Sequence, residues 1–152
     1  MDLIMNFIST GNFGPIRLDL TKTEVEEILG KPESVSAKAK PLLIKYGSLE
    51  LAFTKDNQKS KMLVSSIHLY FTDTITLPSQ VSLGECSINK VPNSTTLLRE
   101  ALALGINLKK DLLFTFDDQV CYVSDSNVSI IISVEGKENV LRSMHVMKKV
   151  GN

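Results

Sequence analysis

The stretch LLIKYGSLELAF, residues 42–53, has the pattern of a β-hairpin. Gly47 and Ser48 suit a two-residue type II′ turn, because glycine readily takes the positive φ of the first turn position. With that turn Lys45 faces Glu50, and opposite charges directly across two strands contribute ~0.2–1 kcal/mol. The larger apolar side chains share the other side, in the pairs Leu42–Phe53, Ile44–Leu51 and Tyr46–Leu49. The stretch therefore predicts two antiparallel strands with one buried face.

A short helix is predicted upstream of the hairpin, over residues 22–29. Thr21 and Glu24 match a capping box, in which each side chain accepts a hydrogen bond from the backbone amide of the other residue. Gly30 is expected to end the helix in the left-handed conformation, and the proline at position 32 prevents its continuation. One apolar stripe runs along the helix: Val25, Ile28 and Leu29.

A third strand is predicted downstream, over residues 62–71. Side chains alternate between the two faces of a strand. The apolar face is expected to carry Leu63, Ile67, Leu69 and Phe71. The opposite face is expected to carry Ser66, His68 and Tyr70.

The second half of the chain has a similar order of elements. The segment PNSTTLLREALALGI predicts a helix capped by Asn93 or Ser94 and closed by Gly105, with the stripe Leu97, Leu98, Ala101 and Leu102. The segment DLLFTFDDQVCYV predicts a second hairpin with a type I′ turn at Asp117–Asp118. Its expected pairs are Leu112–Val123, Phe114–Cys121 and Phe116–Gln119. The segments NVSIIISV and ENVLRSMHVM predict two further strands.

The repeated order predicts an internal duplication, with units at about 15–75 and 85–148. His68 and His145, the two histidines of the chain, follow Ser-Ile and Ser-Met and are expected at equivalent positions. The predicted fold class is α+β, in one domain over 1–152. A single antiparallel sheet would be built from two tandem helix–hairpin–strand units, with both helices packed on one face. The additional strand of the second unit has no predicted counterpart in the first.

Composition is that of an ordinary globular protein, with 43% hydrophobic and 22% charged residues. The 17 basic and 17 acidic residues form no basic stripe, which argues against nucleic-acid binding. No apolar run approaches the ~20 residues of a membrane span, and no basic region marks a secretion signal. Cys86 and Cys121 lack metal-ligand spacing, so we expect reduced thiols in a cytoplasmic protein, with Cys121 as a small core residue.

Two resemblances support this interpretation. The segment LTKTEVEEILGKPESV, with a hairpin and a further strand after it, resembles the helix-and-strands unit of the β-lactamase inhibitor protein and of the small outer-membrane assembly lipoproteins. The segments KYGSLELAF, SSIHLYF and ALGI are similar to uncharacterised bacterial proteins that carry a YGDLEF-like segment. Tyr46, Gly47, Leu49 and Glu50 match that segment, whereas Ser48 replaces its acidic residue. The first resemblance implies an inhibitor-like role, whereas the second carries no implication about activity.

Motifs for catalysis or cofactor binding are missing: the sequence has no GxSxG, HExxH, Walker-type or GxGxxG pattern. The GNFGP segment has the wrong spacing for a phosphate loop. The two histidines could share a metal only if the units faced each other, and ordinary strand histidines are the expected alternative. Turn chemistry accounts better than a carboxylate cluster for Asp117, Asp118 and the nearby Asp125. We therefore predict no catalytic residue, metal or cofactor.

The face of the sheet without helices is the predicted binding surface. It is expected to carry Lys45, Glu50, Ser66, His68 and Tyr70 from the first unit, and Leu113, Thr115, Val120, Tyr122 and His145 from the second. The candidates for contact with a partner protein are Lys45, Glu50, His68, Tyr70, Tyr122 and His145. Alternatively, loops or a homodimer partner cover part of this face.

The sequence favours a non-catalytic bacterial protein-binding module, with an inhibitor or a toxin-immunity protein as its concrete form. Two alternatives remain. A small-ligand-binding protein would need an enclosed apolar pocket between helices and sheet, and an unrecognised enzyme would need titratable groups that converge in a cleft.

Overall fold

The computed structural model describes residues 2–36, 40–58, 60–72, 75–81, 93–136 and 139–149; Cys86 lies outside them. The strands are β1 (Ser34–Val35), β2 (Leu42–Tyr46), β3 (Leu49–Lys55), β4 (Met62–Tyr70), β5 (Leu108–Lys110), β6 (Gln119–Ser124), β7 (Val128–Ser133) and β8 (Val140–Met147). The helices of the described ranges are α1 (Leu3–Thr10), α2 (Lys22–Leu29) and α3 (Ser94–Ala103), and short 3₁₀ turns span Ser79–Val81 and Leu112–Phe114. The predicted α+β class is confirmed.

The eight strands form one antiparallel sheet in the order β1-β2-β3-β4-β8-β7-β6-β5. Its centre is the pairing of β4 with β8, where His68 lies directly opposite His145. The duplication itself stays a prediction. In the strand order, β1 to β4 form one half of the sheet and β5 to β8 form the other half. The last strand of each half, β4 or β8, lies at the centre of the sheet.

The register of the first hairpin is confirmed. Ile44 pairs with Leu51, and Lys45 with Glu50, as the two-residue turn predicted. Gly47 has φ 60°, whereas Ser48 is not among the residues with positive φ, as a type II′ turn requires. The apolar side of this hairpin is buried in the core under the helices.

The third strand departs from simple alternation near its start. A bulge between Ala52 and Phe53 shifts the pairing of β3 with β4, so that Phe53 pairs with Val64. Val64 is therefore fully buried, and Leu63, the predicted core residue, is half-buried. Beyond the bulge, β4 follows the predicted alternation.

Helix α2 matches its predicted bounds and capping box. The Glu24 amide donates to the Thr21 hydroxyl at 3.1 Å, and the Thr21 amide donates to the Glu24 carboxylate at 3.0 Å. Gly30 has φ 80° and ψ −161°, so the predicted left-handed cap is wrong although the φ is positive. Val25 and Leu29 are buried, whereas Ile28, the centre of the predicted stripe, is only half-buried.

Helix α1 was not predicted. Asp2 caps its start, with the side chain accepting from the Met5 amide at 2.8 Å, and Gly11 ends it in the left-handed conformation. Asn6, Ser9 and Thr10 occupy one side of the helix, and the other five of its eight residues are buried on the opposite side: Leu3, Ile4, Met5, Phe7 and Ile8. An apolar run this short does not show by its periodicity whether it forms a helix or a strand.

Helix α3 is capped by Asn93 and closed by Gly105, both as predicted. The amide of Gly105 donates to Leu102 and the amide of Ile106 to Ala101, which is the Schellman arrangement. This turn brings Ile106 against the core, and Leu102, predicted to be buried, is 76% exposed.

The second hairpin has a different register from the predicted one. Strand β5 pairs with β6 through Leu108–Ser124, Lys109–Val123 and Lys110–Tyr122, and Leu112–Phe114 form a 3₁₀ turn instead of a strand. The Asp111 side chain accepts from the Leu113 amide at 3.0 Å, and such local bonds compete with strand pairing. Of the predicted pairs only Phe116–Gln119 is present. The two aspartates between them lack the positive φ of a type I′ turn.

We predict that Leu29→Ala lowers the free energy of unfolding by ~2–5 kcal/mol, because it leaves a cavity in the core. Thr21→Ala is expected to cost ~0.5–2 kcal/mol through loss of the cap. Ile28→Ala should cost less than Leu29→Ala, since Ile28 is half-buried. Urea unfolding of the three variants measures this ranking, and an Ile28 variant less stable than the Leu29 variant would contradict the docking of α2.

A second prediction concerns the hairpin turn. A Cβ at Gly47 would clash with the backbone carbonyl of Thr76, whereas a Cβ at Gly105 has open space. Both glycines have positive φ, so both alanine variants carry backbone strain of ~1–3 kcal/mol. Gly47→Ala should therefore lower the melting temperature more than Gly105→Ala does. Equal shifts in thermal denaturation would show that the Thr76 segment yields freely.

Candidate functional site

The side of the sheet away from the helices, here called the open face, carries a line of polar side chains across five strands. In successive directly opposed pairs, Lys45 lies beside Glu50, Glu50 beside His68, His68 beside His145, and His145 beside Ser129. Because the central strands are paired on both sides, these positions are held by the sheet backbone. The structure thus brings together four of the six predicted partner-binding residues.

Three aromatic rings lie next to one another on the open face and are called the ring row: Tyr70, His68 and His145. Tyr70 and His68 are two positions apart on β4 and therefore point the same way. Their ring centroids lie 4.2 Å apart at an interplanar angle of 6°. The rings of His68 and His145 lie 4.9 Å apart at 32°. The ring row also includes the fifth predicted residue, Tyr70, which is 38% exposed.

Glu50 links the ring row to the first hairpin. The Tyr70 hydroxyl donates to the Glu50 carboxylate at 3.4 Å. Lys45 is directly opposite Glu50 on the next strand. Within the described ranges, ion pairs join Lys22 to Glu26 and Lys148 to Asp19, and Lys45 and Glu50 are not close enough to form another. Lys45 is exposed, and the half-buried Glu50 carboxylate accepts from Tyr70, so the two charges stay separate beside the ring row.

The histidines of the ring row are neutral at physiological pH. Burial lowers the pKa of His68 to about 4, and the neighbouring His145 contributes to that lowering. Burial also lowers the pKa of His145. The pKa of Tyr70 is raised by burial and then by the Glu50 carboxylate, so its phenol stays protonated. The centre of the open face is therefore uncharged.

One polar atom of the ring row has no partner among the described residues: the buried Nδ1 of His145. An unsatisfied buried nitrogen costs stability, and a second proton on this ring would add a desolvated charge. This environment agrees with the low pKa of His145.

The predicted placement of Tyr122 on the open face is wrong. Tyr122 pairs with the buried Ile130 and packs against the core on the helix side. Val120 pairs with Ile132 and shares that side, whereas Cys121 belongs to the open side. Cys121 is a free thiol and is fully buried, as predicted, and it lies on the open side of the sheet. The cause is the altered register of β5 and β6, which reversed the assigned faces of β6.

A cleft of about 540 Å³ adjoins the ring row at the tip of the first hairpin. Its lining includes Lys45, Glu50, Tyr70 and two residues that the sequence did not indicate, Glu33 and Thr76. The Glu33 carboxylate accepts from the Gly47 amide at 2.9 Å. The pairing of β1 with β2 places Glu33 there, and a two-residue strand has too little sequence pattern to be predicted.

Metal and phosphate chemistry find little support in the geometry. Among the described residues, no three histidine, cysteine, aspartate or glutamate side chains are grouped to hold a metal ion. The GNFGP segment follows the C-terminal end of α1, where the helix dipole repels anions. Asp125 accepts from the Asn107 side chain at 3.1 Å and so has a structural role.

Comparisons of the chain with protein-family models, curated proteins and solved structures give no significant match. The resemblance to the β-lactamase inhibitor protein and to the YGDLEF-like proteins therefore stays a prediction. Within the part of the chain that the structure describes, none of the helices is long and apolar enough to cross a membrane.

We predict that stability falls as the pH is lowered from about 6.5 toward 4. In this window the unfolded chain takes up protons on both imidazoles at their ordinary pKa, whereas the folded chain resists protonation of His68 down to about 4. Well above pH 6.5 the imidazoles are neutral in both the folded and the unfolded chain, so they no longer make the stability depend on pH. Chemical denaturation between pH 7.5 and 4.5 measures the slope.

The matched control for this slope is a His68→Gln, His145→Gln double variant, in which the carboxylates still titrate. Its free energy of unfolding should depend less on pH than that of the wild type. Titration of the imidazole ring protons by NMR gives the pKa values directly. A His68 value near 6.5 would contradict the burial of the ring row.

Proposed function

We propose that this protein is a non-catalytic module that binds another protein through the open face of its sheet. The observation that carries the proposal is the ring row, in which an exposed tyrosine is stacked on a histidine at 4.2 Å and bonded to Glu50. Tyrosine is among the residues that contribute most to protein–protein affinity. An aromatic ring already fixed on a sheet loses little conformational entropy on binding.

The charge pattern of the open face supports a protein partner. Its centre carries neutral imidazoles, which cost less to desolvate than charged groups. The exposed Lys45 and the half-buried Glu50 lie on one side of this centre and carry the charges of the face. An uncharged aromatic centre with a polar rim is the usual composition of a protein–protein interface.

The geometry also ranks the alternatives. The cleft beside Tyr70 opens to solvent, whereas a small-ligand site buries most of its ligand. Glu50, His68, Tyr70 and His145 are titratable and adjacent. Glu50 and Tyr70 line the cleft, which does not exclude water from a reaction because it opens to solvent, and the two histidines are not part of its lining. Recognition of a surface therefore suits this face better than catalysis.

The concrete form of the proposal is a bacterial inhibitor or toxin-immunity protein that covers the working surface of its partner. The resemblance of residues 20–35 and of the following strands to the β-lactamase inhibitor unit supports this form. A cytoplasmic location is part of the proposal, since the free thiol of Cys121 is typical of a reducing compartment.

The test begins with a photo-crosslinking amino acid placed at position 70 and, as control, at position 102 on the exposed part of α3. In the native host, position 70 should give a covalent adduct with one protein and position 102 should not. An adduct from both positions, or from position 102 alone, would place the contact away from the open face.

We predict that Tyr70→Ala weakens binding of that partner by about 2 kcal/mol or more, because it removes the exposed ring from the centre of the contact. Tyr70→Phe keeps the stacked ring and loses only the bond to Glu50, so its effect should be smaller. Isothermal titration calorimetry measures both, and thermal melts should change little. Unchanged affinity in Tyr70→Ala would refute the proposed surface.

A further inference from the structure

The turn between β5 and β6 exposes a contiguous apolar group, here called the apolar turn, residues 112–116. Four large side chains within five residues face solvent: Leu112 at 78% exposure, Leu113 at 75%, Phe114 at 50% and Phe116 at 58%. Single exposed hydrophobic residues are normal, but a contiguous apolar patch on a folded protein usually marks an interaction site.

The apolar turn is held in place by its polar neighbours. The Thr115 hydroxyl donates to the Asp111 carbonyl at 2.7 Å and accepts from the Cys121 amide at 3.1 Å. The Gln119 side chain donates to the Phe114 carbonyl at 2.8 Å. Phe116 and Gln119 close the turn as a backbone bridge. The four apolar side chains are therefore presented on an ordered backbone, and docking them requires little further ordering.

Opposite charges flank the apolar turn. Lys109 and Lys110 precede it, and Asp117 and Asp118 follow it; all four are exposed. Within the described ranges, none of the four belongs to an ion pair. Their charges are thus not neutralised inside one copy of the chain and remain available to another molecule.

The order of these charges along the chain allows two copies of the segment to attract each other. When two copies approach about a twofold axis, the segment of one runs opposite to that of the other. The lysines of each copy then face the aspartates of its partner, and the two apolar turns meet between them. Strand β5 is at the sheet edge, where exposed lysines oppose strand-to-strand pairing. The contact would therefore use side chains instead of extending the sheet.

We propose that the apolar turn is a homodimerisation surface whose occupant is the apolar turn of a second copy of this chain. Four apolar side chains from each copy form a smaller contact than a standard interface, to which each partner contributes roughly 800 Å² and about 20–30 residues. We therefore expect a weak dimer. Strand β6 is three strands from β4 in the sheet, so the surface is separate from Tyr70 and independent of the proposed function.

Sedimentation velocity from low micromolar to several hundred micromolar protein tests this proposal. The wild type should shift from monomer to dimer across the series. A Leu112→Gln, Leu113→Gln variant should dissociate at least tenfold more readily. The matched control is Leu102→Gln, Leu104→Gln, which removes two other exposed leucines and should dimerise as the wild type does. Melting curves of all three proteins verify that each is folded.

Charge reversal tests the twofold arrangement. A Lys109→Glu, Lys110→Glu variant and an Asp117→Lys, Asp118→Lys variant should each be monomeric, since like charges would then meet. An equimolar mixture of the two should restore a dimer. Three results would overturn the proposal: a wild type that stays monomeric, equal association of both glutamine variants, or a mixture that stays monomeric.

Discussion

The pairing of β4 with β8 is the interaction on which the rest of the structure depends. It joins the two groups of four strands into one sheet and sets which side chains face which way. Ile67 and Leu69 lie opposite Val146 and Met144, all buried under the helices, while His68 lies opposite His145 on the open face. A slip of one residue would exchange the two sets, placing imidazoles in the core and aliphatic side chains in water. The core and the ring row are thus fixed by one register.

The sequence predicted correctly wherever local chemistry and long-range packing agree. In the first hairpin, the Gly47 turn, the Lys45–Glu50 pair and the apolar alternation all require one register, and the structure has it. The capping box of α2 is equally local. Side chains of β4 alternate strictly between the two faces beyond its bulge. The sequence therefore predicted correctly that His68 and Tyr70, two residues apart, lie on the same face. Most of the candidate site could therefore be predicted.

The sequence predicted wrongly where a local hydrogen bond overrides the strand pattern, or where an element is too short to have a clear pattern. Asp111 bonds to the Leu113 amide and folds the predicted strand into a turn, which displaced the register and put Tyr122 on the wrong face. Leu112, Phe114 and Phe116 were predicted to lie on the buried face of a strand, and all three are exposed in the turn. Helix α1 has only eight residues, and an apolar run this short does not distinguish a helix from a strand by its periodicity. The contact between the His68 and His145 rings needed the β4–β8 pairing, which joins residues just over half the chain apart.

That separation has a consequence for biosynthesis. Strand β8 leaves the ribosome after the other seven strands, yet it belongs at the centre of the sheet. Until it arrives, β4 is an uncovered edge and the β5–β7 group has no neighbour to join. Folding is expected to be slow because the central β4–β8 pairing joins residues far apart in the chain, and the long segment between them must be ordered first. A nascent chain of this protein therefore leaves one edge of the half-apolar strand β4 open during the synthesis of its second half, and an open edge can pair with other chains.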